Sequence, residues 1–371
     1  MARLSGPGYA VAMSAARRIV LGAVALILAS VVCYLLAWPT VVRPVAWQPP
    51  TAPALEGPWA SNGALDAPEL LGVDVGPGPE HLAFDARGRV AVGYQDGRLV
   101  AFDADGKNAR ELANTHGRPL GLVFRGEELI VCDSLAGLLS VAPDGTITVL
   151  ATEADGGPFR FADGVDVARD GTLYFTDASS VFSVDEYQRD LIEHGGRGRL
   201  LALAPGEARP RVLLSGLQFA NGVALAPDDS FVLFVETGSY RVSKLWLTGE
   251  RTGRVDVVID NLPGFPDNLS RGQRGAYWIG LTAPRNALID ALGPHPFLRT
   301  VIDRLPRLVQ PKAQRRAHVV GIDDEGHVLH NLVGTGATHA LVAGAVEHEG
   351  WLYLASLHDP HFARVRVPAG G

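Results

Sequence analysis

The chain has little cysteine and lacks several short motifs that mark common enzyme classes. Two cysteines, Cys33 and Cys132, occur in 371 residues. One lies in an apolar run and the other in a predicted strand, so we expect no disulfide between them. No Gly-x-Ser-x-Gly elbow, phosphate-binding loop or Cys-x-x-Cys pair is present, so none of those sites is predicted. Four of the histidines show no metal-ligand spacing: His318, His327, His330 and His339.

Charge is also sparse. Charged residues make up 20 % of the chain and the formal net charge is -7. No cluster of Lys and Arg is present that could release counterions from a nucleic acid, so we expect no nucleic-acid partner. Glycine and proline are frequent instead, with 43 and 25 copies. That composition is typical of many short strands joined by turns.

One long apolar run stands near the N-terminus. Residues 19–38 carry no charge, follow Arg17 and Arg18, and end before Pro39. About 20 apolar residues in a helix cross about 30 Å of hydrocarbon, which predicts a transmembrane signal anchor. The positive-inside rule places residues 1–18 in the cytoplasm and the bulk of the chain on the extracytoplasmic side. A cleaved signal peptide and a buried helix of a soluble domain are the alternatives.

A short phrase recurs along the rest of the chain. It consists of an oxygen-bearing residue, an apolar strand, a turn and a second apolar strand, and it begins in residues 78–90, 161–173 and 219–231, with a shorter copy from residue 265. Copies roughly 40 to 60 residues apart are typical of β-propeller blades. We count six blades, which predicts an all-β domain over residues 70–371, joined to the membrane helix by a Pro-rich spacer over residues 39–69.

The oxygen-bearing residues of the repeat are candidate metal ligands. If equivalent positions of the blades face the central channel, their side chains converge on its axis. Hard oxygen donors in that arrangement suit calcium, the probable cofactor. The candidate ligands are Glu80, Asp163, Asn221, Asp267 and Asn268.

Two stretches interrupt the repeat. Residues 183–193 predict a short helix inserted in the third blade. Residues 285–309 have helical apolar spacing that Pro294 and Pro296 divide into two helices. Insertions of this kind are candidate lids over the channel mouth, and membrane-facing or packing helices are the alternative.

Several of these segments resemble the strictosidine synthase-like family. The resemblance rests on residues 161–180, 219–225, 236–242 and 261–268 and extends over nearly everything from Pro44 to the end. It implies a six-bladed propeller and kinship with calcium-dependent lactonases, namely paraoxonases, gluconolactonases and senescence marker protein.

The resemblance also implies a ligand set, residue by residue. The paraoxonase-type calcium is held by a Glu, three Asn and an Asp, and four of those positions match Glu80, Asn221, Asp267 and Asn268. The fifth ligand falls at Ala162 in our alignment, with Asp163 beside it. The paraoxonase histidine pair is replaced by Leu120 and Ser134. The glutamate that strictosidine synthases use for condensation is replaced by Ala343.

Two functions of different classes remain. The first is a calcium-dependent hydrolase of a small-molecule ester or lactone, with Asp267 and Asp163 orienting or deprotonating water. The second is a non-catalytic, membrane-tethered binding propeller whose ion is structural. An amine-condensing lyase is disfavoured because of Ala343. The sequence makes no prediction about protein partners.

Overall fold

The structure is a computed structural model of the chain, and it describes residues 7–155 and 157–368, with side chains from Arg17 onward. The predicted cytoplasmic segment, residues 1–18, therefore lies partly outside the described residues. The first element, α1 (Pro7–Ala37), contains the apolar run. Its segment Arg17–Ala37 is 21 residues long, is apolar enough to cross a membrane, and has none of its residues buried against the rest of the chain.

A ring of four-stranded antiparallel sheets forms the domain. The ring is closed by β1 (Glu69–Leu71), which follows the spacer and pairs with the last strand, β26 (Phe362–Arg366). Strands β1 and β26 come from opposite ends of the domain and lie in one sheet. Backbone hydrogen bonds between these two strands therefore close the ring. Among the described residues there are six such sheets, which confirms the predicted six-bladed propeller.

The first three blades follow the chain in order, each as a meander of four strands. The first blade comprises β2 (Leu82–Phe84), β3 (Val90–Gly93), β4 (Arg98–Phe102) and β5 (Arg110–Asn114). The second comprises β6 (Pro119–Arg125), β7 (Glu128–Asp133), β8 (Gly137–Val141) and β9 (Ile147–Ala151). A small hairpin, β10 (Glu153–Ala154) and β11 (Gly157–Pro158), precedes the third blade. The third comprises β12 (Ala162–Val167), β13 (Leu173–Asp177), β14 (Gly198–Leu203) and β15 (Arg211–Leu217).

The remaining blades continue the same pattern. The fourth comprises β16 (Ala220–Leu225), β17 (Phe231–Glu236), β18 (Arg241–Trp246) and β19 (Val255–Ile259). The fifth comprises β20 (Gly264–Arg271), β21 (Tyr277–Pro284), β22 (Ala317–Ile322) and β23 (Val328–Gly334). The sixth comprises β24 (Ala345–His348), β25 (Trp351–Leu354), β26 and β1.

The innermost strands approach each other closely because glycine occurs at one position in three of them. Gly121, Gly164 and Gly222 each lie where a Cβ atom would clash with the backbone of the next inner strand. The glycine of the repeated Asp-Gly-Val and Asn-Gly-Val phrases therefore has a packing role: it lets the backbones of neighbouring blades meet around the axis.

Apolar cores lie between neighbouring blades. Between the fourth and fifth blades the core contains Val235, Leu269 and Ile279, and between the fifth and sixth it contains Trp278 and Leu352, all buried. Fully burying one such aliphatic side chain contributes about 1.5–3 kcal/mol. Each blade is therefore stabilised by both of its neighbours, and the ring forms one cooperative unit.

The two predicted insertions are helical, and they lie in equivalent connections of two blades. A 3₁₀ turn (Val184–Glu186) and α2 (Tyr187–Glu193) lie between β13 and β14. Helices α3 (Ala287–Leu292) and α4 (Pro296–Arg304) lie between β21 and β22. Both insertions connect the second and third strands of a blade, so antiparallel order places them on the same face of the ring, which we call the upper face.

The segment after α1 lies along the upper face. Val42 is buried, the amide of Val45 donates to the carbonyl of Glu193 at 2.8 Å, and the indole of Trp47 stacks on His194 with ring centroids 3.9 Å apart. Arg285 Nη2 donates to the carbonyl of Pro50 at 2.6 Å. This part of the proline-rich segment is therefore held by the inserted helices. A further 3₁₀ turn (Gly57–Trp59) precedes β1.

Candidate metal centre

The candidate ligands lie at irregular points of the inner strands. In β12 the pairing register shifts between Ala162 and Val165, and in β16 it shifts between Ala220 and Val223. The shifted stretches contain Asp163 and Asn221 respectively. A bulge of this kind bends a strand and redirects a side chain, and bulges are frequent beside active sites.

The inner strand of the fifth blade has the same feature. The register of β20 shifts between Gly264 and Pro266 and again between Pro266 and Leu269, so Asp267 and Asn268 lie in an irregular stretch. Glu80 lies just before β2, with its amide donating to the carbonyl of Gly93 at 3.3 Å. The repeat therefore places polar side chains where the regular ladder is interrupted and the backbone can turn them toward the axis.

Four of the five candidate ligands line one cavity of about 530 Å³ under the upper face: Glu80, Asp163, Asn221 and Asp267. The fifth, Asn268, is buried beside them, and its amide Nδ2 donates to the backbone carbonyl of Glu80 at 3.4 Å. It lies against the floor of the cavity and positions the chain at Glu80.

Ala162, where the sequence alignment places the fifth ligand, does not line the cavity. Ala162 is buried in the apolar core between blades, as is Ala220 at the equivalent point of β16. Asp163 and Asn221 follow these alanines and both face the cavity. Asp163 is therefore the third-blade equivalent of Asn221, and an oxygen donor stands at the position where the alignment indicated a loss.

Two of these side chains carry unpartnered oxygens. Asp163 Oδ1 and Asn221 Oδ1 are buried and have no hydrogen-bond partner among the residues that the structure describes. An unpaired buried polar oxygen costs about 1–3 kcal/mol, so two of them in one cluster call for a ligand that accepts their lone pairs.

The carboxyls of the cavity floor have strongly shifted acidities. Burial raises the pKa of Asp163 well above its usual range, Asp267 and Glu80 raise it further, and Arg118 opposes the shift. Burial also raises the pKa of Asp267 well above its usual range, with Glu80 adding to the rise and the Asn221 side chain opposing it by a hydrogen bond. These buried carboxyls therefore hold their protons unless a positive charge joins them.

An arginine that the sequence reading missed belongs to this cluster. Arg118 Nη2 donates to Glu80 Oε2 at 2.5 Å, and both side chains are largely buried. Its backbone amide donates to Asp133 Oδ1 at 3.0 Å, which fixes the segment before β6. No repeat in the sequence marks this residue, which precedes the inner strand of the second blade; the second and sixth blades supply none of the candidate oxygen donors.

The cluster therefore contains three carboxyls and one guanidinium: Glu80, Asp163, Asp267 and Arg118. When all are ionised, two negative charges remain, which is the charge that one divalent cation neutralises. Carboxylate and amide oxygens are also the ligands that calcium prefers. In donor chemistry and charge, the residues fit a calcium ion.

Other positions compared with related enzymes carry no catalytic group. Leu120 is fully buried in a core with Phe161 and Phe219, and Ser134 is buried without a described partner for its hydroxyl. Ala343 is fully buried, and its carbonyl accepts from the amide of Asn268 at 2.8 Å. His81 is also buried, and its Nδ1 accepts from the amide of Leu122 at 3.2 Å. Burial lowers the pKa of His81 to about 4, so it stays neutral.

The walls of the cavity come largely from the insertions and from aromatic side chains. Tyr187 of α2, Ile289 of α3 and Ile302 of α4 all contribute, as does Trp47 from the segment after α1. The inserted helices thus cover the axial site, as a lid would. The cavity is apolar above and charged at its floor, an arrangement typical of small-molecule sites.

The fold and the site place this chain in a class of proteins, the six-bladed propellers with acidic and amide side chains near the central axis. Comparisons with known proteins show its family. The family model for strictosidine synthase matches residues 163–250, and that for the N-terminal region of strictosidine synthase-like proteins matches residues 57–102. Strictosidine synthase-like protein 6 of Arabidopsis thaliana is 35 % identical over 309 residues, which cover 81 % of this chain and 82 % of that protein. The chain belongs to the strictosidine synthase-like family, as the resemblance predicted.

A membrane-associated animal relative and solved propellers extend the comparison. Adipocyte plasma membrane-associated protein of Bos taurus is 32 % identical over 357 residues, covering 90 % of this chain and 86 % of that protein. A gluconolactonase from Xanthomonas campestris superposes with a TM-score of 0.59 at 17 % identity, over 90 % of this chain and 99 % of that one. The calcium-binding protein regucalcin from Agrobacterium tumefaciens gives 0.52 at 15 % identity, over 80 % and 85 %. At these identities the solved structures establish the fold alone.

Proposed function

We propose that this protein is a membrane-anchored, calcium-dependent hydrolase of a small-molecule ester or lactone. The observation that carries the proposal is the cluster at the cavity floor, where three buried carboxyls and an amide oxygen meet beneath an apolar chamber. Burying charged or polar oxygen atoms in this way lowers the stability of the fold unless a cation binds them. The names of the gluconolactonase and regucalcin neighbours support the same chemistry.

Four side chains would hold the ion: Glu80, Asp163, Asn221 and Asp267. Asn268 would support them from beneath through its hydrogen bond to the Glu80 carbonyl. When bound, calcium supplies a Lewis acid that polarises a carbonyl and stabilises the oxyanion that forms on it.

The carboxyls of the chain would manage the proton. Asp267 and Asp163 both line the cavity, so water that enters it would reach their carboxyl groups. With calcium bound both groups would be ionised, and either carboxylate would orient the attacking water or take its proton. Asn221 hydrogen-bonds Asp267 and would orient it toward the attacking water.

The walls favour an apolar substrate. Phe161, Phe219 and Phe265 line the cavity together with the lid side chains. An aryl or alkyl group would bury its surface there while its ester carbonyl reaches the polar floor. Amine condensation is not part of the proposal, because Ala343 offers no carboxylate at the position where strictosidine synthases have their glutamate.

The anchor would keep the propeller at a membrane. Segment Arg17–Ala37 is long enough to span, and Arg17 and Arg18 mark its cytoplasmic end by the positive-inside rule. The catalytic domain would then lie on the extracytoplasmic side, where free calcium favours occupancy of a moderate-affinity site.

A panel of aryl esters and lactones tests the proposal on the full chain in detergent. We expect turnover that a calcium chelator abolishes and added calcium restores. Asp267→Asn and Asp163→Asn should each lower kcat by about 10²–10⁴-fold, the usual contribution of a general base. The matched control is Asp166→Asn, because Asp166 is a half-buried carboxyl of β12 that does not line the cavity and whose Oδ2 accepts from the amide of Leu225 at 2.8 Å. Equal activity in all variants would refute the catalytic assignment.

One observation favours a second function, a non-catalytic binding propeller. The ion pair between Arg118 and Glu80 already gives the cluster one internal cation. If the full chain binds no calcium, is indifferent to chelator and hydrolyses no member of the panel, the binding function replaces the hydrolase. A bound calcium without turnover would instead assign the ion a structural role.

A further inference from the structure

A second polar cluster lies outside the axial site, between the last two blades. His339 belongs to the segment that joins β23 to β24, and Asp359 and His361 belong to the loop that joins β25 to β26. All three side chains are buried, and one ligand atom from each lies within 4.8 Å of the others. Sequence spacing gave no sign of this cluster, because 20 residues and a hairpin separate its two halves.

His339 is unpaired at a buried position. Its side chain is 1 % exposed, and within the part of the chain that the structure describes neither ring nitrogen has a hydrogen-bond partner. Burial lowers the pKa of His339 to about 4, with His361 adding to the fall and with Asp359 and the main chain of Ala355 opposing it. A buried imidazole whose two nitrogens lack hydrogen-bond partners among the described residues calls for a ligand.

The neighbours hold the other two groups in ligating states. His361 Nε2 donates to the carbonyl of Thr338 at 3.2 Å, so Nδ1 is the ring nitrogen that remains to ligate a metal. This kind of contact fixes the tautomer of metal-bound histidines. Burial would raise the pKa of Asp359, but hydrogen bonds from Arg315 and from the amide of Ala340 outweigh it and hold the pKa below its usual range. The carboxylate is therefore ionised.

Arg315 leaves room for a metal at Asp359. Arg315 Nη1 donates to Oδ1 at 2.8 Å and Nη2 to Oδ2 at 3.2 Å, and the amide of Ala340 donates to Oδ2 at 2.8 Å. A carboxylate has about four lone-pair positions, so one stays available. The Arg315 side chain is also half exposed and can move outward.

We propose that His339, Asp359 and His361 form a zinc site distinct from the axial calcium cluster. Two imidazoles and one carboxylate without a thiolate are ligands typical of zinc and related divalent transition ions, and zinc binds such sets more tightly than manganese or iron. Calcium prefers oxygen donors and does not compete for the imidazoles. The proposal does not depend on hydrolase activity.

The site would fasten the closure of the ring. The carbonyl of Asp359 accepts from the amide of Gly78 at 3.1 Å, and the amide of Ser356 donates to the carbonyl of Pro79 at 2.8 Å. These contacts hold the segment that carries Glu80, where the first blade meets the sixth. An ion on Asp359 and His361 would therefore rigidify that junction and stabilise the fold.

Metal analysis of the full chain in detergent tests the site. We expect about one zinc per chain after dialysis, reduced to a small fraction in His339→Ala and His361→Ala. The matched control is His318→Gln, since His318 is equally buried but its Nε2 lies 2.7 Å from Asn331 Oδ1. Loss of zinc in the control, or retention in both test variants, overturns the proposal.

A spectroscopic titration covers the case in which the variants fail to fold. Cobalt added to the zinc-free wild-type chain should give saturable visible d–d bands at about one equivalent, which zinc displaces and excess calcium does not. The same titration should raise Tm. Absence of a saturable spectrum, or its displacement by calcium, rules out the site.

Discussion

Arg118 Nη2 and Glu80 Oε2 form an ion pair of 2.5 Å at the floor of the axial cavity, beside Asp163 and Asp267. The pair joins the inner edges of the first and second blades. It places a fixed positive charge in a cluster whose remaining charge fits one calcium ion. The affinity of the site is therefore a balance between the three carboxyls and this guanidinium.

Removal of the guanidinium should strengthen calcium binding. In Arg118→Gln the positive guanidinium that repels calcium is gone, and the Glu80 carboxylate no longer pairs with it. We therefore expect the affinity for calcium to rise about tenfold, which is about 1.4 kcal/mol. Isothermal titration calorimetry measures the dissociation constant for calcium. Arg199→Gln is the control, because Arg199 forms a similar buried pair with Asp177 at 2.6 Å and neither side chain lines the cavity. Weaker binding in Arg118→Gln would mean that Arg118 orients Glu80 as a ligand.

The stability of the calcium-free protein should fall as pH rises. Asp163 and Asp267 have pKa values in the folded state above those of the unfolded chain. Their stabilising contribution is complete below the unfolded values and is lost as pH rises toward the raised ones. In chelator, we expect Tm to decrease as pH rises above the ordinary carboxyl pKa of 3.8, and the increase in Tm on adding calcium to grow in the same direction.

Differential scanning calorimetry of the full chain checks this pH dependence. Asp267→Asn should flatten the decrease in chelator, because one of the two titrating groups is gone. A Tm in chelator that rises with pH would show that the carboxyls are already ionised, with Arg118 as their partner.

The segment after α1 should contribute to both stability and binding. Trp47 stacks on His194 and lines the cavity. Trp47→Ala should lower the free energy of unfolding by about 2 kcal/mol and raise KM for aryl esters more than it lowers kcat. Trp47→Phe should restore most of the free energy of unfolding and reverse most of the change in KM. Leu55→Ala is the control in the same segment, because Leu55 is exposed. No change in Trp47→Ala would mean that the segment is a passive tether.

The inserted helices should contact lipid. Arg304 Nη1 of α4 donates to the carbonyl of Leu35, at the end of α1, at 2.7 Å. Leu308, just beyond α4, is 85 % exposed, and Val309 beside it is 62 % exposed. If α1 spans a membrane as proposed, exposed apolar side chains next to it would be buried by the bilayer surface.

A double substitution tests this contact in vesicles. Leu308→Ser with Val309→Ser should lower turnover of long-chain, membrane-partitioned esters several-fold and leave water-soluble esters unaffected. Leu329→Ser, at an exposed position of the outer strand β23, is the control. Equal losses on both kinds of substrate would indicate damage to the lid itself.

Much of the fold could be predicted because it is periodic. The repeat phrase marks the inner two strands of four blades, and turns such as Asp96-Gly97 mark their connections. The helices of the second insertion followed from apolar spacing and from Pro294 and Pro296, and a short helix was also predicted over residues 183–193. The packing of residues 42–51 against those helices did not follow from the sequence, because its contacts join positions more than a hundred residues apart.

The candidate site could be predicted in part for the same reason. Glu80, Asp163, Asn221 and Asp267 occupy equivalent points of a repeat, and a closed ring brings equivalent points together. Arg118 has no counterpart in the other blades, so no pattern indicated it. His339 and His361 lie in loops outside the repeat, one between the fifth and sixth blades and one within the sixth, and they meet only in the folded chain.

The sequence by itself determined the propeller, the membrane-length helix and the acidic residues on the axis, since each follows from local periodicity, run length or repetition. The tertiary structure decided which side of β12 faces the cavity, because a bulge between Ala162 and Val165 sets the direction of Asp163. It also decided the charge of the site, because Arg118 arrives from a neighbouring blade. Bulge geometry and contacts between blades depend on packing across the whole ring, which no single stretch of the chain encodes.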